Sequence, residues 1–139
     1  MTKHYGLKIW VVDDSEADHE LMRIAFDDVL GPDTIESFYS AEEAVEALAS
    51  GRRPSLVLLD LNMPGLGGEH FLSQRQHHQY SHVPVIILSS SSNPDDIRST
   101  YALGANSYLV KPHDLDALMA FAHDVYQYWF KWAQLPQAV

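Results

Sequence analysis

Five side chains carry most of the reactive potential of this sequence: Asp13, Asp14, Asp60, Ser89 and Lys111. Each follows a largely apolar run. Asp60 closes Leu56-Val57-Leu58-Leu59 and is followed at once by Leu61-Asn62-Met63-Pro64-Gly65-Leu66-Gly67-Gly68. Asp13 and Asp14 follow Leu7 to Val12, Ser89 follows Val83 to Leu88, and Lys111 ends the run that begins at Ser107. An apolar run bounded by turn residues suits a strand buried on both faces of a parallel sheet. Such sheets gather their binding and reacting groups at the carboxyl ends of the strands. Two charges about 4 Å apart repel by about 4 kcal/mol at an effective dielectric near 20, so a rim with three carboxylates needs a cation. Hard oxygen donors with few other partners suit Mg2+, which keeps several waters and binds one or two carboxylates plus a phosphate. Lys111 adds a mobile point charge suited to a phosphoryl oxygen, and Ser89 adds a hydroxyl donor. A carboxylate nucleophile, a metal and a lysine make phosphoryl transfer to an aspartate. Asp60 is the nucleophile of choice because it ends the central apolar strand, opposite the acidic pair.

The elements that must position these groups alternate strand and helix. Leu7–Val12 reads as the first strand, and Ser15 caps a helix with acidic Glu16 and Asp18 in its first turn. Leu21, Ile24, Ala25 and Val29 would supply its apolar face, and Gly31-Pro32 stops it. Thr34–Tyr39 is a more polar strand, suited to a sheet edge. Ser40-Ala41-Glu42-Glu43 is a capping box that opens the second helix, which Gly51 ends. Glu69–Gln79 reads as the third helix, Val83–Leu88 as the fourth strand, and Asn93-Pro94-Asp95-Asp96 as a strong helix start. Ser107–Lys111 is a short fifth strand, and Asp114 caps a last helix to about Trp132. Five βα repeats imply a parallel sheet with right-handed crossovers and helices on both faces, a three-layer α/β sandwich.

Composition narrows the function. The 139 residues suffice for one domain with a sizeable core, expected to span 1–139 with its core at about 7–132. The chain lacks cysteine, which excludes disulfides, thiolate nucleophiles and Cys-ligated metal sites. A net charge of −10 with only 9 basic residues argues against a nucleic-acid surface. No run approaches the ~20 apolar residues of a membrane span, and no signal core follows the N-terminus, so the expected address is cytoplasmic. His77, His78 and His82 fall on a helix end and loop without ligand spacing, and His19-Glu20 lacks the second histidine of a zinc-protease motif.

Four separated motifs resemble the receiver domain of two-component response regulators, in the right order and at compatible spacings. They are Val11-Val12-Asp13-Asp14-Ser15, Asp60-Leu61-Asn62-Met63-Pro64-Gly65 with Gly68, Ser89 after Pro84 to Leu88, and Gly104-Ala105-Asn106-Ser107-Tyr108-Leu109-Val110-Lys111-Pro112. The resemblance implies a flavodoxin-like sheet of order 2-1-3-4-5 and Asp60 as phosphoacceptor. It also implies Mg2+ held by Asp14 directly, by Asp13 through water, by Asp60 and by the Asn62 backbone carbonyl. Ser89 and Tyr108 match the hydroxyl and aromatic of the family switch, and Lys111-Pro112 matches the phosphate-binding lysine and its usually cis-bonded proline. Ser89 stands where threonine is commoner, which keeps the hydroxyl and loses a methyl. On this reading phosphate draws Ser89 and Lys111 toward Asp60, Tyr108 turns inward behind Ser89, and the surface of the fourth helix, fifth strand and last helix responds.

With no output domain expected, output must pass through a surface. At about 100° per residue, Leu115, Leu118, Met119, Ala122, Tyr126 and Trp129 share one helical stripe. Phe121, Val125, Tyr128 and Trp132 form a second, widening the apolar arc to roughly 200°. The aromatic excess, Trp129 included, points to a homodimer interface. Asn93 to Asp96, Ala102 to Tyr108, Tyr128-Trp129-Phe130 and Leu135-Pro136 are similar to single-domain regulators of phytochrome histidine kinases. That likeness implies a bacteriophytochrome-type kinase as partner, with no nucleic acid and no membrane. The chain would be a signalling protein and not an enzyme, catalysing at most its own phosphorylation and dephosphorylation; a phosphate sink or relay is the alternative. A haloacid-dehalogenase-type phosphatase would need an acid two residues beyond Asp60, where Asn62 stands. A dinucleotide fingerprint would need glycine where His70 stands.

Overall fold

The computed structural model describes residues 7–78 and 80–136. Five strands, β1 (Ile9–Val12), β2 (Ile35–Phe38), β3 (Leu56–Asp60), β4 (Val85–Ser89) and β5 (Ser107–Val110), form one parallel sheet of order β2-β1-β3-β4-β5. Five α-helices connect and follow them: α1 (Glu16–Leu30), α2 (Ala41–Ala49), α3 (Gly68–His77), α4 (Pro94–Ala102) and α5 (Leu115–Val125). The sandwich and its strand order are those expected from the sequence.

The central strands β1, β3 and β4 are buried almost throughout, as their unbroken apolar runs require. Successive residues point to opposite faces. Trp10, Val12, Val57, Leu59, Val85 and Ile87 pack with Ala44, Leu48, Phe71 and Leu72 from α2 and α3. Ile9, Val11, Leu56, Leu58, Ile86 and Leu88 pack with Met22, Phe26, Leu118 and Ala122 from α1 and α5. β2 and β5 are only half-buried, as edge strands. Four helix starts are capped as their sequences predict: Ser15, Ser40, Asn93 and Asp114 accept backbone N–H bonds from Asp18, Glu43, Asp95 and Ala117.

At the end of the sheet remote from the acidic rim, Arg75 of α3 is buried without a carboxylate partner among the described residues. Its Nε donates to the Val83 carbonyl at 2.6 Å, Nη1 to the Gly104 carbonyl at 3.0 Å, and Nη2 to Asn106 Oδ1 at 3.3 Å. The same Asn106 oxygen accepts the Val85 N–H at 2.8 Å. One guanidinium therefore ties α3 to the feet of both β4 and β5. Burial lowers its pKa.

Three expectations change. On α1 the buried side is Met22, Ala25, Phe26 and Leu30, and Ile24 is 49% exposed, because the helix is rotated so that Phe26 faces the sheet. The third helix ends at His77; Gln79 lies outside the described residues. The last helix does not keep one winding: past Val125 it becomes a π-helix over Tyr126–Trp132, closed by a bond of 2.8 Å from the Ala133 N–H to the Tyr128 carbonyl. An i→i+5 turn takes up more residues than an α turn, so stripes projected at a constant 100° fail there. Val125 is buried with Leu118 and Ala122 and takes no part in an exposed stripe. Phe121 is half-buried, edge-on to Phe26 at 6.2 Å. Trp129 also packs partly on the core, whereas Tyr128 and Trp132 are 61% and 72% exposed.

Candidate functional site

Asp60 and Ser89 end β3 and β4, while Asp13 and Lys111 extend the ladder one residue beyond β1 and β5. The Asp13 N–H donates to the Phe38 carbonyl at 3.0 Å, and the Lys111 N–H to the Ser89 carbonyl at 2.8 Å. Asp13, Asp14 and Asp60 thereby converge, each offering a carboxylate oxygen within 4.8 Å of the others. Asp13 is buried, Asp14 exposed and Asp60 intermediate, so the cluster opens to solvent on one side. A donor set of three hard carboxylates fits a small divalent cation with room for waters.

The electrostatics follow from that crowding. Burial first, then the charges of Asp13 and Asp14, push Asp60 up to about 6, against the opposing pull of Lys111 and a 3.3 Å bond from the Asn62 N–H. The Lys111 ammonium sits 2.6 Å from Asp13 Oδ2, 2.6 Å from Asp18 Oδ2 and 3.9 Å from Asp60 Oδ2. Burial would lower its pKa, but the bonds to Asp13 and Asp18 and the charges of Asp13 and Asp60 outweigh it, so the net shift is upward.

The loop after Asp60 depends on Gly68. A Cβ there would stand 2.7 Å from the Asp60 carbonyl oxygen, closer than any side chain tolerates. Glycine lets α3 begin hard against the strand that carries the central carboxylate, with the Gly68 N–H bonded to the Leu61 carbonyl at 3.2 Å.

Ser89 is fully buried, and its Oγ accepts the Ser91 N–H at 3.1 Å while keeping its own proton to donate. The Tyr108 hydroxyl donates to the Ser91 carbonyl at 2.8 Å, and the Tyr108 N–H donates to the Tyr101 hydroxyl at 3.1 Å. Ser91 Oγ in turn donates to Asp96 at 2.7 Å. The β4–α4 loop thus joins Ser89 to Tyr108 through the backbone of Ser91.

All five reactive positions fall on one rim, with Tyr108 one loop away. Pro112 departs from expectation: no peptide bond among the described residues is cis, so Lys111–Pro112 is trans, the isomer favoured for an X–Pro bond by about 0.5–1 kcal/mol. The sequence reading missed Asp18 and His19 as site residues, treating the first only as a helix-cap acid. His19 is buried and bonds through Nε2 to the Asp13 carbonyl at 2.7 Å, with its ring 4.4 Å from that of Tyr39. Since a carbonyl only accepts, Nε2 carries the proton; Nδ1 is left as the one buried side-chain atom without a partner among the described residues. No local signal marked Asp18, whose partner Lys111 is distant in sequence.

Residues 9–123 match the family model of the response regulator receiver domain. The chain belongs to that family. Among receivers, it is 31% identical to the response regulator Rcp1 of Synechocystis sp., over 94% of this chain and 93% of Rcp1. It is 32% identical to the probable methanogenesis regulatory protein FilR2 of Methanothrix harundinacea, over 92% of this chain and 86% of FilR2. The crystal structure of the phosphorylated cyanobacterial phytochrome response regulator RcpA superposes with a TM-score of 0.84 at 31% identity, over 94% of this chain and 99% of that one. The Mn2+-bound form of Rcp1 gives 0.82 at 28% identity, over 94% and 99%. Three carboxylates that could hold a cation thus stand in a chain whose fold is shared with a Mn2+-bound relative.

A second region lies on the α5 side of β4 and β5, reaching toward their feet at Ile86 and Asn106. Leu109, Phe121, Val125, Tyr128 and Trp129 line a groove of about 560 Å3, with Asp124 at its edge. Tyr101 of α4, Val110 of β5 and Trp132 at the end of the last helix are also well exposed. No helix among the described residues is long and apolar enough to cross a membrane.

Proposed function

We propose that this receiver takes a phosphoryl group from a histidine kinase onto Asp60, with Mg2+ held by Asp13, Asp14, Asp60 and the Asn62 backbone carbonyl. The observation that carries the reading is the meeting of three carboxylates, Lys111 and the buried Ser89 hydroxyl on one rim. An Asp60 oxygen attacks the phosphorus of the kinase phosphohistidine; the new P–O bond forms as the P–N bond breaks, and the imidazole nitrogen leaves with the electron pair. When bound, the divalent ion offsets the negative charge of the carboxylates and phosphoryl oxygens. Lys111 shifts toward the transferred group, Ser89 donates its hydroxyl proton to a phosphoryl oxygen, and the loop carrying Ser91 follows. That loop holds the Tyr108 hydroxyl, so Tyr108 moves with it. The chain signals, and catalyses at most its own phosphorylation and dephosphorylation.

The likeness to Rcp1 and RcpA supports a phytochrome-type kinase as the phosphoryl source. Exposed Tyr128 and Trp132 support a homodimer through the end of the last helix, with Phe121, Val125 and Trp129 packed behind them. The test is labelling. Incubation with Mg2+ and acetyl phosphate gives an acid-stable, base-labile adduct in the wild type and none in Asp60→Asn. Equal labelling of the two proteins would falsify the assignment of Asp60. Size exclusion of Trp132→Ala across concentration shifts toward monomer if this face pairs.

A further inference from the structure

Lys111 has two carboxylate partners at 2.6 Å, and only Asp13 belongs to the cation-binding cluster. The other, Asp18, is held in place by the cap of α1. Ser15 Oγ accepts the Asp18 N–H at 3.2 Å, while the Ser15 N–H donates to Asp13 Oδ1 at 2.9 Å. One serine therefore holds the Asp13 carboxylate and the backbone that carries Asp18. Asp18 also sits in the first helical turn, where the dipole favours an anion. Were Asp13 to turn its oxygens toward a bound cation, Asp18 would remain as the carboxylate that Lys111 can keep.

We propose that Asp18 is a positioning residue that draws the Lys111 ammonium toward α1, so that a phosphoryl group on Asp60 must compete with it for that charge. The proposal rests on Asp60 as phosphoacceptor. The starting geometry already shows the bias: Lys111 is in contact with Asp18 and 3.9 Å from the nearest Asp60 oxygen. Asp18 therefore weakens the hold on phosphate and speeds return to the resting state. It acts through Lys111 alone, which separates it from a general effect of negative charge.

The experiment uses beryllofluoride with Mg2+ as a phosphoryl mimic, its affinity read from backbone amide shifts of the full chain. Replacing Asp18→Asn tightens binding about two- to fivefold, the range expected from freeing one partly exposed ion-paired lysine. Asp18→Glu, which keeps the carboxylate, stays at the wild-type value. In a Lys111→Met background, Asp18→Asn changes nothing. An equal gain in that background means bulk charge and overturns the proposal, as does no gain with Lys111 present. A second readout needs no metal: exchange of the Lys111 ammonium protons is slowed in wild type and Asp18→Glu and fast in Asp18→Asn. Exchange that is the same in all three overturns the proposal too. If wild type takes label from acetyl phosphate but is insensitive to Asp18, only this inference falls. If wild type takes neither label nor beryllofluoride, the phosphoacceptor reading falls with it.

Discussion

The two sides of the sheet are built to different standards of firmness. The strands β1, β3 and β4 are buried, α1 is capped, and Asp13 is gripped by Ser15, His19 and Lys111 together. Around β5 and α4 the burial thins: Thr100 is the only buried residue of α4, and Leu109 and Val110 of β5 are 37% and 54% exposed. A site that orients reacting groups needs the first standard, and a surface that changes on signal needs the second, since local opening costs least where few apolar contacts resist it. The Ser89–Ser91–Tyr108 hydrogen bonds are what join the two.

Substitutions of graded effect break or sharpen that contrast. The largest effect belongs to the firm half. Ile87→Ala, in a fully buried position of β4, is expected to cost about 2–5 kcal/mol in urea denaturation. Val110→Ala, one strand away, should stay within about 0.5 kcal/mol. Comparable costs for the two would erase the distinction.

Next comes the strain stored by the rim itself. Asp60 is raised in the folded metal-free protein from 3.8 to about 6. The folded state therefore holds the proton more tightly, and stability falls as pH rises across that window, the penalty being complete above it. Asp60→Asn should remove this pH dependence and stabilise the metal-free protein by on the order of 1–3 kcal/mol at pH 8. Added Mg2+ should stabilise the wild type more than the variant. A flat wild-type profile between pH 4 and 7 would sink the argument.

Smaller again is Tyr108→Phe. Losing the bond to the Ser91 carbonyl should cost about 1 kcal/mol, and hydrogen exchange should quicken between Ser89 and Val110 but not in β1 or β3. Uniform quickening would mean the halves are not separable. Trp132→Ala is expected to do least to the monomer, within about 0.5 kcal/mol, because 72% of the residue is already in water.

Much of this was legible in the sequence because its local signals agree. The apolar runs that end at Val12, Leu59 and Leu88 admit no polar face, so their burial and the convergence of the charges after them follow directly. Ser15, Ser40, Asn93 and Asp114 mark helix starts by a chemistry that is local. What escaped was decided by packing over distance. On α1 it is Phe26 that packs into the core, edge-on to the distant Phe121, which no local spacing reveals. In Tyr126–Trp132 the aromatics lie on every side, so periodicity cannot choose between α and π winding. Asp18 resembles any acidic first-turn residue until the fold brings Lys111, 93 positions later, within 2.6 Å of it.

Arg75 gives β5 a mechanical character. By fastening the feet of β4 and β5 through Val83, Gly104 and Asn106, it acts as a fulcrum at the end away from the acids. A strand held more firmly at its foot than at its rim answers a pull by tilting. Val110 lies four residues beyond Asn106, about 13 Å along a strand at ~3.3 Å per residue. A shift of about 1 Å at the rim then asks only about 4° of tilt and almost none at the foot. Motion is then greatest at the rim end, where Leu109 and Val110 are exposed, and spin labels at the two ends of β5 would compare it with that at the foot.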